Sequence, residues 1–306
     1  DEFAGFLRET LVSELALDLI RNNAVNDLVA VLDDARALET AHHRFGDVRS
    51  AITHAIERYL PRLQGNSVSQ ALAVLEANRG WALLPSSDQW PQGLNDLGWA
   101  APPMLWGIGD RSTLPRLQRS VSVVGSRGAT GYGDWVTTDL CCDLAERGYA
   151  IVSGGAYGID GIAHRATLNA SGTTFAVMAG GVNRFYPSGH AELLGKVAES
   201  GAVLSELAPN AMPTKWRFLQ RNRLVAALSQ VTVVVEAGKR SGSISTANHA
   251  ESLSRPVAAI PGPVTSSASV GTNRLIAEGF ATLVTCGADV AVLAGDRETL
   301  DLSQAW

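Results

Sequence analysis

The sequence is poor in the features that would place it quickly. It has only three cysteines, Cys141, Cys142 and Cys286, which form neither an even disulfide framework nor a CxxC pair. The adjacent thiols read as small buried residues of a helix, and such sparse cysteine suits a reducing, cytoplasmic setting. Long hydrophobic runs are missing too. The most apolar one, residues 224–235, is broken by Ser229 and Gln230 and is too short to span a bilayer. No stretch has the pattern of a signal peptide, so no membrane is expected as a partner. Nor is there a basic excess. With 25 lysines and arginines against 30 aspartates and glutamates the net charge is −5, which argues mildly against a generic nucleic-acid binder. The charges are, however, unevenly distributed.

What is present is a globular composition, 46% hydrophobic and 18% charged over 306 residues. That is enough for one sizeable α/β domain and a smaller one. Residues 1–78 read as a small helical accessory domain of about four helices. Leu7, Leu11, Leu15 and Leu19 recur every four residues and give one apolar face. The last of its helical runs, 68–76, follows a cap at Ser67. Residues 79–120 carry Trp81, Trp90, Trp99 and Trp106 among five prolines. Prolines at that density preclude long helices and tryptophans need packing, so an irregular lead-in pressed onto the next domain is expected. From 121 to 295 strand and helix alternate. Apolar strand candidates at 121–124, 150–153, 174–178, 202–205, 231–235, 257–260 and 282–285 are separated by helical stretches. Gly148, Gly172, Gly201 and Gly279 follow those helices, where a left-handed stop is cheapest. The alternation predicts a doubly wound parallel sheet, with residues 296–306 as a tail.

Strand 121–124 ends in Gly125-Ser126-Arg127-Gly128, and strand 150–153 in Gly154-Gly155-Ala156-Tyr157-Gly158. Two such loops on successive parallel strands open on one carboxyl edge, where open α/β sheets bind ligands. Glycine lets backbone N–H groups come close to a ligand. Ser126 and Arg127 add a hydroxyl and a charged fork suited to phosphate. A dinucleotide cofactor is disfavoured: the glycines run G-x-x-G-x-G from Gly128 to Gly133, and Ser153 and Gly154 stand where the ribose-binding acid belongs. A P-loop would need Gly-Lys-Ser/Thr, which is absent. Asp160 reads as a helix cap. His164 reads as a packed histidine, since no nucleophile pairs with it.

The charge gathers in residues 212–224. Lys215, Arg217, Arg221 and Arg223 are four cations in nine residues, beside Trp216 and Phe218, with no acid between Glu206 and Glu236. Cations interleaved with aromatics suit an unpaired strand, charge for phosphates and rings for bases; they equally suit a solvated basic helix with its rings packed inward. After strand 231–235, Ser241-Gly242-Ser243 opens another helix and offers an anion site. Glu236 at that strand end reads as an anchor for loop N–H groups rather than a catalytic acid. Ile260-Pro261-Gly262-Pro263 is a rigid turn after the next strand.

In order, VVGSR, SGGAYGIDGIAHR, YP, SE, K-x-x-F-x-x-RNR, VVEA-x-x-x-SGS and PG resemble the DNA-processing protein A family (DprA, also called Smf). The segments DQWPQGLNDL and APPMLWGIGD resemble the family's lead-in. The resemblance covers residues 80–293. It implies a bacterial cytoplasmic protein with an extended Rossmann-like fold, dimeric through that domain, preceded here by the small all-helical domain. It further implies that the protein binds and protects single-stranded DNA and loads the recombinase RecA onto it in natural transformation and recombination. No catalytic residue, cofactor or metal is implied, so the chain is expected not to be an enzyme. By position, phosphates would be held by Ser126, Arg127 and Lys215, and bases met by Phe218. Gly125, Gly128, Gly154, Gly155, Arg221, Asn222, Arg223, Ser241, Gly242 and Ser243 are further contacts. Tyr157 stands where the family often has arginine and is counted as a contact that replaces charge with stacking. Many members carry a C-terminal winged-helix-like domain, for which the residues after 293 leave no room. The alternative is an enzyme, a nucleoside-monophosphate phosphoribohydrolase of the lysine-decarboxylase-like Rossmann group. That group resembles PGG-x-GT followed by glutamate, whereas Pro261-Gly262-Pro263-Val264 stands here with Gly271-Thr272 well beyond.

Overall fold

In a computed structural model of the chain, residues 68–296 are described. Residues 74–97 and 104–296 form one compact unit. The first three expected helices, and the tail after 296, lie outside the described residues. The fourth helix is α1, Val68–Ala77.

The lead-in departs from its expected irregularity, because it adds two strands to the main sheet. β1 (Gly80–Leu83) and β2 (Leu105–Gly109) pair antiparallel, and β2 pairs antiparallel with β6 (Ala202–Ser205). Short 3-10 segments fill the rest, one of them Arg111–Arg119, capped by Asp110. The tryptophans pack as their size demands. Trp90 and Trp106 are buried, and the Trp81 indole lies over Gly107, where a Cβ would strike the ring.

The seven expected strands all form. Between β2 and β6 in the chain come β3 (Ser120–Val124), β4 (Ala150–Ser153) and β5 (Thr174–Val177); β7 (Val231–Val234), β8 (Val257–Ala259) and β9 (Thr282–Leu283) follow. The nine strands lie in the order β1-β2-β6-β5-β4-β3-β7-β8-β9, and from β6 to β9 all neighbours are parallel. Crossovers are made by α2 (Gly131–Glu146), α3 (Ile159–Asn169), α4 (Ala191–Ser200), α5 (Lys215–Ala227), α6 (Gly242–Ser252) and α7 (Val270–Ala277), and α8 (Gly287–Leu293) follows β9.

Strand alternation divides the core between two faces. Val121, Val123, Ile151, Val231 and Val233 point to the face covered by α2, α3 and α8. Val124, Val152 and Val234 point to the other, against Leu224, Val225 and Ala247 of α5 and α6. Ser122 shares that second face without a penalty, because its hydroxyl donates to the Val225 carbonyl at 2.7 Å. The glycine stops are only half as expected. Gly148 and Gly279 are left-handed, but after α3 it is Ser171 that takes a φ of 55°. Gly201 is needed for room instead: a Cβ there would run into the Thr174 carbonyl of the neighbouring strand.

The chain winds outward from β3 through β4 and β5 to β6, then returns to place β7 on the other side of β3. That reversal opens a crevice beyond the carboxyl ends of β3 and β7, the place where doubly wound sheets bind ligands.

Candidate nucleic-acid interface

A cleft of about 860 Å³ occupies this crevice. Its floor is the loop after β3, and its walls are the loops after β4 and β7 and the first turns of α5. The β3 and β4 loops abut: Gly158, at φ 74°, leaves no room for a Cβ against the backbone of Ser126 and Arg127, and the Ile159 N–H donates to the Ser126 carbonyl at 3.1 Å.

Each of these two loops already holds an anion of the protein's own. The Glu236 carboxylate, buried at the end of β7, accepts from the Thr130 N–H at 3.0 Å and from its hydroxyl, and lies where a Cβ on Gly133 would be. It therefore sits on the N-terminus of α2, the position a pyrophosphate would take in a dinucleotide site. Glu236 is thus the anchor expected from the sequence. Asp160 does the same for the β4 loop. It lies within the first turn of α3 rather than capping it, since the cap position is Gly158 with no side-chain bond. Its Oδ2 accepts from the N–H groups of Gly154 at 3.1 Å and Ala156 at 3.4 Å. Burial pushes the Asp160 carboxyl above its ordinary value, against the opposing pull of Arg221 and the loop N–H groups. The expectation that these glycine loops offer open N–H groups is corrected at those positions, because Glu236 and Asp160 already occupy them.

The basic helix divides its cations. Thr214 caps α5 by accepting from the Arg217 N–H, so the helix begins at Lys215 and places Lys215 and Phe218 on one face. Lys215 is exposed at the cleft, as is Arg127 opposite. The Arg127 guanidinium carbon lies 5.1 Å from the Phe218 ring centroid. Arg221 lines the base of the cleft but is buried, and it donates to the carbonyls of Gly154, at 2.7 Å, and Val177. Burial brings its pKa down to about 10 against the pull of Asp160. Asn222 donates to the Gly242 carbonyl at 3.2 Å, which ties α5 to the start of α6. Arg223 turns away to Glu206, bonded at 2.6 and 2.7 Å.

Of the residues singled out from the sequence, Gly125, Ser126, Arg127, Gly128, Gly154, Lys215, Phe218, Arg221, Asn222, Ser241, Gly242 and Ser243 line the cleft. Gly155, Tyr157 and Arg223 do not. Gly155 backs onto Leu194. Tyr157 stands edge-on to His190 with ring centroids 4.7 Å apart, so it does not replace a rim arginine in the cleft. Lys239 and Arg240 were missed. They are exposed on the cleft rim directly before Ser241, and two adjacent cations ahead of a glycine-flanked helix start were a readable signal. Tyr186 also lines the cleft.

The acid of the cleft, Asp160, is engaged by backbone N–H groups. His164 is fully buried with Nδ1 2.7 Å from the Thr174 hydroxyl, and burial drives its pKa down to about 3. Among the described residues there is no cluster of three or more His, Cys, Asp or Glu that could hold a metal, and no helix is long and apolar enough to cross a membrane. The arrangement is a cationic groove lined in part by the rings of Phe218 and Tyr186.

Comparison with known proteins gives the family. The model of the family described as DNA recombination-mediator protein A matches residues 81–294. A Mycobacterium tuberculosis protein named DprA is 46% identical over 234 residues, 73% of this chain and 60% of its own length; this chain thus spans under two thirds of that relative. The DNA processing protein DprA of Bacillus subtilis is 36% identical over 75% of each chain. The X-ray structure of DprA from Streptococcus pneumoniae superposes with a TM-score of 0.67 at 31% identity, covering 88% of this chain and 86% of that one. The Helicobacter pylori DprA structure, described for its single-stranded DNA binding mode, gives 0.63 at 31% identity and covers 71% and 97%. With the family model matched over residues 81–294 and relatives of 36–46% identity sharing its extended Rossmann-like fold, the chain belongs to the DNA recombination-mediator protein A (DprA) family.

Proposed function

We propose that the cleft binds single-stranded DNA, and that the protein protects such strands and loads RecA onto them during transformation and recombination without catalysing a reaction itself. One observation carries the reading. Arg127, Lys215, Lys239 and Arg240 converge with the rings of Phe218 and Tyr186 on one groove whose acid is internally neutralised. Cations track a backbone whatever its sequence, and rings accept any unpaired base, the combination that sequence-tolerant single-strand binding requires. The start of α6, with the Ser241 and Ser243 hydroxyls 2.7 Å apart, offers a further anion contact. The H. pylori relative supports the choice of DNA. Family membership supports RecA as partner, a homodimer through the Rossmann-like domain and a cytoplasmic setting.

A fluorescent oligothymidylate titrated by anisotropy at several salt concentrations, beside a duplex of equal length, tests the reading. Preference for the single strand is expected. The log of affinity should fall with the log of salt by about 0.7 per phosphate neutralised. Arg127→Ala should weaken binding with no change in unfolding midpoint. Absence of binding at low salt, or release of free base from a nucleoside monophosphate, would replace it with the phosphoribohydrolase alternative or another anion.

A further inference from the structure

Lys215 and Tyr186 line the cleft, and each has an arginine two residues away that does not. Arg217 follows Lys215 along α5, and Arg184 precedes Tyr186 in the loop after β5. Both arginines close on one residue. Arg184 Nη1 donates to the Met212 sulfur at 3.2 Å, and Arg217 Nη1 donates to the Met212 carbonyl. Met212 is 57% exposed. Pro213 and Thr214, which follow it, belong to the cleft wall, while Met212 itself lies just outside.

Two side chains of like charge are thus brought against the same short segment at the mouth of the cleft, an arrangement that favours an anion joining them. None of the protein's own does so. Among the described residues the ion-paired arginines are Arg119, Arg147, Arg223, Arg255 and Arg274, and no acid stands between Glu206 and Glu236. Met212 supplies one weak and one ordinary acceptor, so most of each guanidinium fork stays available to an oxygen-rich ligand.

The fold sets the pair in place beforehand. Phe185, next to Arg184, packs inward against Met178, Leu194 and Val197. Its loop is laced to the segment that leads into α5. Asn183 Nδ2 donates to Asn210 Oδ1 at 2.8 Å, the Asn210 N–H returns a bond to Asn183 Oδ1 at 2.7 Å, and the Gly181 N–H donates to the Ala211 carbonyl at 2.8 Å. A site assembled in advance loses little freedom on binding. Its position also extends the groove in one direction. The β7 loop, with Lys239 and Arg240, lies on one side of β3, and the β5 loop, with Arg184, lies two strands away on the other.

We propose that Arg184 and Arg217 form a phosphate clamp outside the cleft, which takes the backbone of the strand as it leaves over Pro213 and Met212. The proposal rests on the cleft being a single-strand site, and its test separates the two.

The experiment titrates fluorescein-labelled oligothymidylates of increasing length by anisotropy at several salt concentrations. The proteins are the parent, Arg184→Gln, Arg217→Gln, the double glutamine variant and the corresponding double lysine variant. Glutamine can still donate to Met212 and lacks only the charge, so urea midpoints should agree. The shortest strand that the parent binds fills the cleft alone, and all the variants should bind it equally. On a strand long enough for the parent's affinity to level off, the double glutamine variant should bind about fivefold more weakly at 0.1 M salt. Its salt slope should be lower by about 0.7, the contribution of one phosphate. Each single variant should fall between it and the parent. The double lysine variant should keep the parent's slope, because charge is what displaces counterions. The proposal is overturned if the double glutamine variant binds long strands like the parent, or if it loses the same factor at every length. The second result would assign the two arginines to packing of the Met212 segment. A parent that binds no oligothymidylate at low salt would remove the single-strand reading and this proposal with it.

Discussion

At the start of α5, Lys215 and Trp216 stand in solvent; two turns on, Arg221 has lost nearly all of its exposure and Asn222 most of its own. The first turn faces the cleft with its charge unspent. The middle of the helix uses equally strong donors to fasten the carboxyl ends of β4 and β5 and the start of α6. Arg223, one residue further, is spent on Glu206. A run of cations in one helix thus contains a solvent-facing part and a scaffold part, and only the partners distinguish them. Solvent reaches the first part, and the second is shielded from it.

The comparison breaks most visibly at Arg221. Arg221→Met leaves two carbonyls without a donor and the buried Asp160 without its countercharge, so a loss of about 3–5 kcal/mol of stability is expected, read from urea unfolding. Equal stability for the variant would mean that the guanidinium is not a strut. A smaller effect comes from His164, whose depressed pKa reflects burial first and then the charges of His190, Arg221 and Arg165. Between 6.5 and about 3 the unfolded chain binds a proton that the folded one refuses. Stability is therefore full above pH 6.5 and falls with falling pH, by about 1.4 kcal/mol per unit. Asp160, with its raised value, works in the opposite sense at the acid end. The difference between parent and His164→Gln unfolding at pH 7.5 and 5 isolates the histidine, and the variant should show the shallower slope.

On the exposed side the readout moves from folding to binding. Lys215→Ala should leave the urea midpoint where it is, weaken oligothymidylate about tenfold and lower the salt slope by about 0.7. An unchanged slope would show that Lys215 meets no phosphate. Smallest of all is Arg223→Gln, which should leave binding within about twofold and cost about 1 kcal/mol through the lost pair with Glu206. A tenfold loss of DNA affinity in that variant would erase the division drawn along the helix.

Much of this architecture was legible in the chain because its signals are local. Valine-rich strands, cap residues and glycine stops alternate at close spacing, and all seven parallel strands fall where the pattern puts them. β1 and β2 were not legible. Gly80–Leu83 and Leu105–Gly109 are short and set among tryptophan, proline and glycine, and they become strands only by pairing with each other and with β6. The site follows the same rule. The VGSR loop, Lys215 and the Ser241 turn announce themselves by composition. The fate of Arg221 depends on carbonyls of Gly154 and Val177, far away in the chain, and that of the glycine-loop N–H groups on Glu236 and Asp160. Lys239 and Arg240 belong to the legible part, as two adjacent cations directly ahead of the Ser241 helix start.

The antiparallel pair at the β6 edge has a practical corollary for anyone cutting the chain. The most tempting start for a minimal fragment is Ser120, where the glycine-loop pattern begins. Such a fragment would discard β2, leave only β5 on one side, and strip Ala202–Ser205 of its hydrogen-bonded neighbour on the other. All four of its residues are buried in the intact protein, so the fragment would present a naked, apolar ladder, the kind of border along which copies add to one another and come out of solution. A soluble truncation has to begin ahead of Gly80.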